Sequence, residues 1–337
     1  MTRRTRRIGA YGLCRDDAGR VLLTHNSPRS AFPSRWQLPG GGLEHGEDPA
    51  AAVVREVAEE TGLRVAVTGL RTVLADVHRL PGDGVLEHSD RVVYELLVRG
   101  GTPQDEVGGT TDRVAWFSPD EAAALPLMPF TAAVLGLPPQ ASPETAPAPG
   151  DDPTVGPAPA PGDDPAAGAV PGTDPAPAVE VAPRPATGRR FSAYGLVTDP
   201  AGRVLLTLIA DGYPGAGRWH LPGGGTDHGE QPDAALRREV MEEAGQLGRI
   251  TALLDVSHRH DPAALGPEGH PIDWHVVRVL FRMVVDEPTD PVVTEAAGGS
   301  TLRSGWFAAD RSGHLPTTEL ARAALRRLAP ADRRPSP

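Results

Sequence analysis

Apolar and polar positions follow one another along this chain in an order that occurs twice. The apolar run Ala10–Cys14 leads into the turn sequence DDAGR and a second run, VLLT. Ala193–Val197 leads in the same way into DPAGR and VLLT. Two short apolar runs on either side of a glycine-containing turn predict a β-hairpin. We therefore expect each copy to open with two paired strands.

The next segment of each copy predicts a helix with defined ends. It begins near Pro49 or Pro232, where proline suits the first helical position, and ends at Gly62 or Gly245, where glycine suits the C-terminal cap. Strands and helices that mix in this way predict a layered α/β or α+β domain. The later strand and helix segments are 91–98, 276–285 and 317–328.

The two copies are related by a constant offset of 183 positions. Between residues 6–62 and residues 189–245, roughly three positions in five are identical, and the alignment needs no gap. A repeat of this length lies well beyond the period of solenoid proteins. It predicts two similar domains, 1–137 and 188–330, and we expect a flexible tail at 331–337.

Composition explains what separates the two copies. The 337 residues include 37 prolines and 39 glycines, and the segment 138–187 is dominated by Pro, Ala, Gly and Asp. Such a segment cannot bury enough apolar surface to offset the entropy lost on ordering. We expect a disordered linker, partly in the polyproline II conformation. The alternative, a proline-rich recognition ligand, lacks basic anchors.

Charge and cysteine content narrow the class of protein. The net charge is −11, and no basic stripe is present to bind a nucleic-acid backbone. No stretch approaches the roughly 20 apolar residues of a membrane-spanning helix. The single cysteine, Cys14, aligns with Val197, so we expect a core thiol in a protein of a reducing compartment. A cytoplasmic protein that binds neither nucleic acid nor membrane is the expectation.

Three glutamates share one face of the first predicted helix. Glu56, Glu59 and Glu60 stand at i, i+3 and i+4, beside Val53 and Val57, which can dock the helix on a sheet. In isolation such an acidic face is usually a solvated surface. The second copy repeats the arrangement with Glu239, Glu242 and Glu243, docked by Leu236 and Val240.

The glutamates belong to a longer spaced pattern. It consists of glycine, five residues, glutamate, seven residues, Arg-Glu-aliphatic, one residue, Glu-Glu, one residue, and glycine followed by an aliphatic residue. This pattern resembles the Nudix box, the motif that defines the Nudix hydrolase superfamily. Nine specified positions match in the first copy and eight in the second, where Gln246 replaces the aliphatic residue. The polar and glycine positions are Gly41, Glu47, Arg55, Glu56, Glu59, Glu60 and Gly62, and Gly224, Glu230, Arg238, Glu239, Glu242, Glu243 and Gly245.

The resemblance, which is closest to small MutT-like members, implies a fold and a reaction. It implies two α/β/α sandwich domains, each with a mixed β-sheet. It also implies Mg²⁺-dependent, or Mn²⁺-dependent, hydrolysis of a diphosphate bond in a nucleoside di- or triphosphate or a nucleoside diphosphate joined to another group. Carboxylates suit these cations because Mg²⁺ prefers hard oxygen ligands and shares them with substrate phosphates. The small-molecule partner is therefore expected to be a nucleotide.

The resemblance also implies a role for each motif residue. Glu59 and Glu60 become the principal metal ligands, and Glu56 becomes a further ligand or the base that activates water. Arg55 orients these glutamates by ion pairing, and Glu47 orders the junction of loop and helix or reaches a metal through water. The second-copy residues with the same implied roles are Glu242, Glu243, Glu239, Arg238 and Glu230.

Further candidates lie outside the helix. The glycine turn at Gly41 or Gly224 would bring backbone to the metal where a Cβ would obstruct it. Nudix enzymes often recruit one more acid from a later loop, and Glu106 or Glu295 could supply it, the alternative being an ordinary loop acid.

Several aromatic and histidine positions have two readings. His45 and His228 stand at positions the motif leaves free, which favours a structural role over a general acid or a phosphate contact. Trp36 and Trp219 are expected to be core anchors rather than base-stacking residues. Two histidines in segments where Nudix proteins often place substrate-contacting loops keep an open role: His78 and His258.

Rival functions follow from the duplication. One domain could hydrolyse nucleotides while the other binds them as a regulatory module, with Gln246 marking the second domain as the divergent one. A nucleotide sensor without hydrolysis is the further alternative, but such domains often lose motif glutamates and here all are kept. The two domains could pair within one chain, or the chain could form a homodimer.

Overall fold

The computed structural model describes residues 3–80, 84–140, 186–265, 270–294 and 299–328. The first unit contains β1 (Arg4–Cys14), β2 (Val21–Asn26), β3 (Trp36–Gln37), β4 (Gly40–Gly42), α1 (Pro49–Thr61), β5 (Leu63–Arg79), β6 (Leu86–Gly101), β7 (Thr111–Phe117), α2 (Pro119–Ala123) and α3 (Pro129–Leu135). The second unit contains β8 (Ala186–Thr198), β9 (Arg203–Ile209), β10 (Trp219–His220), β11 (Gly223–Gly225), α4 (Pro232–Ala244), β12 (Arg249–Leu265), β13 (Pro271–Val284), β14 (Thr301–Ala308), α5 (Ala309–Ser312) and α6 (Glu319–Leu325).

Each unit is built on a mixed β-sheet with one parallel pair of strands. In the first unit the strand order is β4-β1-β6-β5, and β3, β2 and β7 form a smaller sheet. The parallel pair β1–β6 runs in register from Arg4↔Leu86 to Cys14↔Leu96. In the second unit β8 runs parallel to β13, while β10 and β14 flank β9. The α/β class with a mixed sheet is therefore confirmed.

Both faces of the main sheet are covered by helices. Successive residues of a strand point to opposite faces. On β1, Ala10 and Cys14 pack in the same core cluster as Val53 of α1. Tyr11, between them, packs with Phe130 of α3 in a second cluster. The thiol of Cys14 is fully buried, and burial raises its pKa to about 12, so it is the inert core thiol that the sequence predicts.

The predicted opening hairpin forms only next to its turn, and the longer pairing of the two strands that we expected is wrong. The first unit has one bridge between these strands, Arg15↔Val21, and the second has one pair, Thr198↔Val204. The reason is competition for hydrogen-bonding edges. At residues 9–11, β1 pairs with β4 on one side and with β6 on the other, so no edge is left for β2. In the first unit the two consecutive strands therefore diverge into different sheets, whereas in the second unit β8 and β9 stay in one sheet and are joined by their single pair.

The glutamate helices have the predicted bounds. The side chain of Asp48 caps α1 by accepting hydrogen bonds from two amides of its first turn, and Gly62 ends the helix with φ +69°. In α4, Gly245 ends the helix with φ +65°, but Gln231 at the capping position makes no side-chain hydrogen bond to the helix. The two helices are thus equal in length and differ at their first turn.

The ends of the two units lie close to the predicted boundaries. The backbone N–H of Leu127 donates to the side-chain oxygen of Gln140 at 2.9 Å, so the first unit continues a few residues beyond 137. β8 begins at Ala186, two residues before the predicted start of the second domain. The rest of the predicted linker, 141–185, and the predicted tail lie outside the described residues. Across the part of the chain that is described, no helix combines the length and apolarity needed to cross a membrane.

Hydrogen bonds also connect the two units, and two of these bonds join corresponding positions of the two copies. The amide of Gly46 donates to His275 Nδ1 at 3.1 Å, and the amide of Gly229 donates to His88 Nδ1 at 2.6 Å. Gly46 and Gly229 occupy the same position of the repeat. The contacts are therefore exchanged reciprocally between the copies. Two further connections join Arg6 to Thr226 and Ala75 to Gln231.

Candidate active sites

Helix α1 presents its three glutamates to different environments. Glu60 is only 5% exposed, and its Oε2 accepts a hydrogen bond from the amide of Gly40 at 2.8 Å. Glu56 is largely buried, whereas Glu59 is more than half exposed. The helix geometry thus places one carboxylate against the glycine turn, one beside it and one toward solvent.

Arg55 holds the acidic groups of the first site in place. Its Nε and Nη2 donate to the two carboxylate oxygens of Glu47, both at 2.8 Å. Its Nη1 donates to Glu56 at 2.9 Å and to Glu59 at 3.2 Å, and Nη2 also reaches the carbonyl of Gly42. One guanidinium therefore links the glycine turn, the loop before the helix and the helix face. This is the orienting geometry expected for the arginine of the motif.

Burial makes two carboxylates of the helix harder to ionise than free glutamate. Burial raises the pKa of Glu56, and it raises the pKa of Glu60 well above its usual range, with further upward contributions from Glu56 and Glu106. The hydrogen bond from Arg55 instead lowers the pKa of Glu47. A buried carboxylate is costly to ionise unless a cation compensates it. The surroundings of Glu56 and Glu60 therefore make their ionised forms less favourable than in water.

The glycine turn is close to the glutamates because it has no side chains. A Cβ on Gly41 would lie 2.6 Å from Glu56 Cδ, and a Cβ on Gly40 would lie 2.7 Å from the backbone of Tyr11. Gly40 also has φ +139°, which only glycine adopts without strain. The triple glycine is therefore both a turn and the surface against which the carboxylates lie.

The second unit reproduces this arrangement around Arg238. Its guanidinium bonds to Glu230 at 2.9 and 3.0 Å, to Glu239 at 3.0 Å and to Glu242 at 3.2 Å. A Cβ on Gly224 would lie 2.7 Å from Glu239 Cδ. The second site therefore has the same skeleton as the first.

The most buried glutamate of the second site has one additional partner. Glu243 accepts from the amide of Gly223 at 2.9 Å and also from the hydroxyl of Thr301 at 2.6 Å. Burial raises the pKa of Glu243 to about 7. In the first unit the equivalent hydroxyl, on Thr111, instead donates to Glu106 at 2.7 Å. The two sites thus differ in the polar contacts of the buried glutamate.

The candidate loop acids are placed unequally. Glu106 is half-buried and accepts hydrogen bonds from the hydroxyl and the backbone amide of Thr111, at 2.7 and 3.1 Å. Glu295 lies outside the described residues.

A cavity of about 300 Å³ opens over the first site. Its floor includes the glycine turn with Glu56 and Glu60. Its walls carry three arginines, together with aromatic and amide side chains. The sequence interpretation missed these arginines, although two of them recur in the second copy as Arg190 and Arg278 and could have been found by that repetition. The arginines are Arg7, Arg29 and Arg91.

The tryptophans and histidines with two possible roles lie in the core or at the contact between the two units. Trp36 and Trp219 are buried, and each packs edge-on against a phenylalanine, so both are the core anchors expected. His78 is buried 3.1 Å from Asp76. Three other histidines lie at the contact between the two units and not on the walls of the cavity: His45, His228 and His258.

The divergent residue of the second motif is accommodated in the core. Gln246 is 2% exposed, and its amide group bonds to Thr289 in both directions, at 2.8 Å to the hydroxyl and 3.1 Å from the backbone amide. A polar residue is tolerated there because its hydrogen bonds are satisfied. The substitution therefore changes packing behind the helix and leaves the glutamate face intact.

Comparison with known families agrees with this geometry. The model of the NUDIX domain matches residues 4–135 and 188–328. The chain belongs to the Nudix family and contains two Nudix domains. The resemblance seen in the sequence is confirmed.

Individual relatives are similar over parts of the chain. A MutT-like protein of Streptomyces ambofaciens is 33% identical over 120 residues, which is 34% of this chain and 66% of that protein. A putative 8-oxo-dGTP diphosphatase 2 of Mycobacterium tuberculosis is 39% identical over 84 residues, 25% of this chain and 56% of that protein. The chain spans between 24% and 66% of the length of the first curated relatives it matches. The crystal structure of a MutT NUDIX hydrolase from Burkholderia pseudomallei is 30% identical, covers 41% of this chain and 97% of its own, and has a TM-score of 0.32.

Proposed function

We propose that both domains hydrolyse a diphosphate bond in nucleoside di- or triphosphates, or in nucleoside diphosphates joined to another group. The observation that carries this proposal is the arginine-held glutamate face at the floor of a cavity whose walls include three arginines. Anionic phosphates are drawn to arginines, and the guanidinium fork suits their geometry. Names of similar proteins, which include RNA pyrophosphohydrolase and nucleoside triphosphatase, support the same hydrolase class.

A divalent cation, Mg²⁺ or Mn²⁺, fits the residues of each site. Glu56 and Glu60 are carboxylates whose pKa values burial raises, so a cation near them would relieve the cost of their ionisation. In the first domain we assign the cation to Glu56, Glu59 and Glu60, with Glu106 and the backbone at Gly41. When bound, the cation would polarise phosphoryl oxygens and acidify a water molecule. The equivalent assignment in the second domain is Glu239, Glu242, Glu243, Glu295 and Gly224.

The chain's own residues provide orientation and charge. Arg55 fixes Glu47 and Glu56, so the glutamate that we assign as further ligand or base keeps one orientation. Arg7 lines the cavity and can hold substrate phosphates above the glutamates, whereas Arg91 is buried and paired with Asp76. Because the cavity is shared by cations and carboxylates, a bound phosphate chain would lie between them. Pre-positioned charge of this kind is the main source of catalysis in phosphoryl transfer.

A second candidate function is a division of labour between the domains. The observation that favours it is the bond from Thr301 to Glu243, which occupies an oxygen of the buried glutamate in the second site. In the first site the equivalent hydroxyl is bonded to Glu106 and leaves Glu60 free of it. On this alternative the first domain hydrolyses and the second binds nucleotide as a regulatory module.

We further propose that the two domains work as a pair within one chain. The reciprocal bonds of Gly46 to His275 and of Gly229 to His88 support this, because they are the equivalent contacts of a pseudo-two-fold arrangement. Such an interface joins the same patch of each copy. A second chain would then not be needed to complete the contact. The cytoplasmic location stays a prediction.

Hydrolysis is tested by removing one charged ligand from each site without changing its size. Glu60→Gln, Glu243→Gln and the double variant are assayed with Mg²⁺ against a panel of nucleotides, and the phosphate and nucleotide products are followed. We expect each single variant to retain one active domain and the double variant to lose turnover. Full activity of the double variant would contradict the assigned site. Loss of all turnover in Glu60→Gln alone would favour the division of labour.

A further inference from the structure

A cluster of histidines lies where the two domains meet, away from both glutamate sites. We call it the interdomain histidine cluster: His45, from the loop before α1, His258 and His260 of β12, and Asp273 and His275 of β13. The ring centres of His45 and His260 are 5.3 Å apart, and those of His45 and His275 are 5.7 Å apart. Nothing in the proposed hydrolysis uses these side chains.

Three members of the cluster point ligand atoms at one place. Nε2 of His260 lies 2.6 Å from Asp273 Oδ1, and Nε2 of His45 lies 2.9 Å from the same oxygen. The three atoms all lie within 4.8 Å of one another. Nδ1 of His45 is buried without a hydrogen-bond partner in the described part of the chain.

We propose that His45, His260 and Asp273 form a binding site for a zinc-class divalent transition metal that links the two domains. The inference rests on the domain pairing proposed above, because His45 comes from the first domain and the other two residues come from the second. Two imidazole nitrogens and one carboxylate oxygen are ligands that Zn²⁺ and Co²⁺ accept, whereas Mg²⁺ prefers oxygen alone. The site is therefore of a different chemical class from the glutamate sites.

The dimensions of the cluster suit such an ion with a small adjustment. Metal–ligand bonds of about 2.0–2.1 Å in a tetrahedral site separate the ligand atoms by roughly 3.3 Å. Asp273 would need to move from each imidazole by about half an ångström, which its partly exposed side chain allows. His260 is also exposed, so one side of the site opens to water, which can enter and fill the fourth position.

The neighbouring histidine fixes the loop that supplies one of the ligands. Nδ1 of His275 accepts a hydrogen bond from the amide of Gly46, the residue directly after His45, at 3.1 Å. This bond holds the His45 loop against β13, where Asp273 lies. The loop and the strand that supply two of the ligands are therefore already joined.

The other half of the interface shows that two of the three ligands, His260 and Asp273, are not required for pairing. Val77 stands opposite His88 in the first domain, as His260 stands opposite His275 in the second. The equivalent of Asp273, two residues before the amide-accepting histidine, is Leu86. The Gly229–His88 bond forms there with these apolar residues in place. The histidine and carboxylate of the proposed site are therefore an addition to one half of the contact.

The test uses the full chain, stripped with a chelator and then saturated with Mg²⁺ to occupy the glutamate sites. Co²⁺ is added as the probe, and its visible ligand-field absorption and bound stoichiometry are measured. We expect one tight equivalent with the intense bands of a four-coordinate site, displaced by Zn²⁺. His260→Val, which installs the residue of the other half, and Asp273→Asn should both lose the bands. His228→Ala, at the position equivalent to His45, should keep them.

Two further measurements distinguish a failure of the proposed metal site from a failure of the glutamate sites or of the domain pairing. The double variant Glu60→Gln and Glu243→Gln should keep the Co²⁺ bands while losing hydrolysis. Bands that disappear in that variant and persist in His260→Val would overturn the metal site and assign the probe to the glutamates. Solution X-ray scattering on the wild type reports the pairing. A compact particle without the bands refutes the metal site alone, while an extended particle refutes the pairing and the site with it.

Discussion

Replacing Gly41 by alanine tests whether the glycine turn and the glutamate helix act as one site. The new Cβ would lie 2.6 Å from Glu56 Cδ and 2.8 Å from Glu56 Oε1. Ordinary contacts between carbon atoms are about 3.5–4.0 Å, so the carboxylate has to move by about 1 Å. The carboxylate is the free end of a flexible side chain, and Gly41 has no positive φ, so the fold can absorb the change.

The expected result is a loss of turnover without a loss of stability. A displacement of about 1 Å in a catalytic group costs on the order of 100-fold in rate. The substitution is made in the Glu243→Gln background, so that turnover reports the first domain, and kcat is measured with Mg²⁺ and a nucleotide substrate. Thermal unfolding should change by no more than a few degrees, since a Gly→Ala change by itself stabilises by about 0.4–1 kcal/mol.

The matched control is Gly69→Ala, in the same background. A Cβ at Gly69 meets only Glu95 Cβ, at 4.0 Å, so turnover should stay at the wild-type level. Unchanged kcat in Gly41→Ala would refute the close coupling of turn and helix. A large fall in the unfolding temperature would show instead that the turn matters for the fold and not for the position of Glu56.

The remaining predictions concern stability. Burial lowers the pKa of His275 from 6.5 to about 4, so the unfolded chain binds more protons than the folded chain between these pH values. The contribution of His275 to the free energy of unfolding is therefore complete above pH 6.5 and falls by up to about 3 kcal/mol as the pH drops to 4. Urea unfolding across this pH range should show a smaller dependence of the free energy of unfolding on pH in His275→Gln than in the wild type. An equal dependence in the two proteins would contradict this prediction. Gln246→Leu should destabilise the second domain by about 0.5–1.5 kcal/mol, because the hydrogen bonds between the buried Gln246 amide and the exposed Thr289 are lost, and a raised unfolding temperature would argue the reverse. Asp48→Ala removes the cap of α1 and should cost about 1 kcal/mol by urea unfolding, with Asp48→Ser as the capping control.

Local signals in the sequence were sufficient to predict where the glutamate helices begin and end. Pro49 and Gly62 act within one turn of the chain, so the bounds of α1 followed from their conformational preferences alone. The pairing of Arg55 with the glutamates was instead an expectation from the resemblance to the Nudix box, and only its pair with Glu59 has the i, i+4 spacing of helix neighbours. These interactions depend on backbone geometry that a dozen consecutive residues determine.

Features that depend on distant strands could not be obtained in this way. The failed hairpin shows why, since β2 loses its place beside β1 only because β4 and β6 occupy both edges. Arg7 reaches the glycine turn because Gly9 pairs with Gly42, a contact between separate segments. The ligand pair His45 and Asp273 is separated by 228 positions and belongs to different domains. No local pattern reports such distances.

The parallel pairing of the first strand of each domain with a late strand has a consequence for how the chain reaches its fold. β1 and β8 share the sequence AYGL and pair in the same register, Arg6 opposite His88 and Arg189 opposite His275. Each late strand therefore faces two nearly interchangeable partners in an unfolded chain. During synthesis β6 is complete long before β8 exists, so the order of emergence favours the correct choice. Refolding from denaturant offers both partners at once and exposes the protein to an exchange of strands between its own halves.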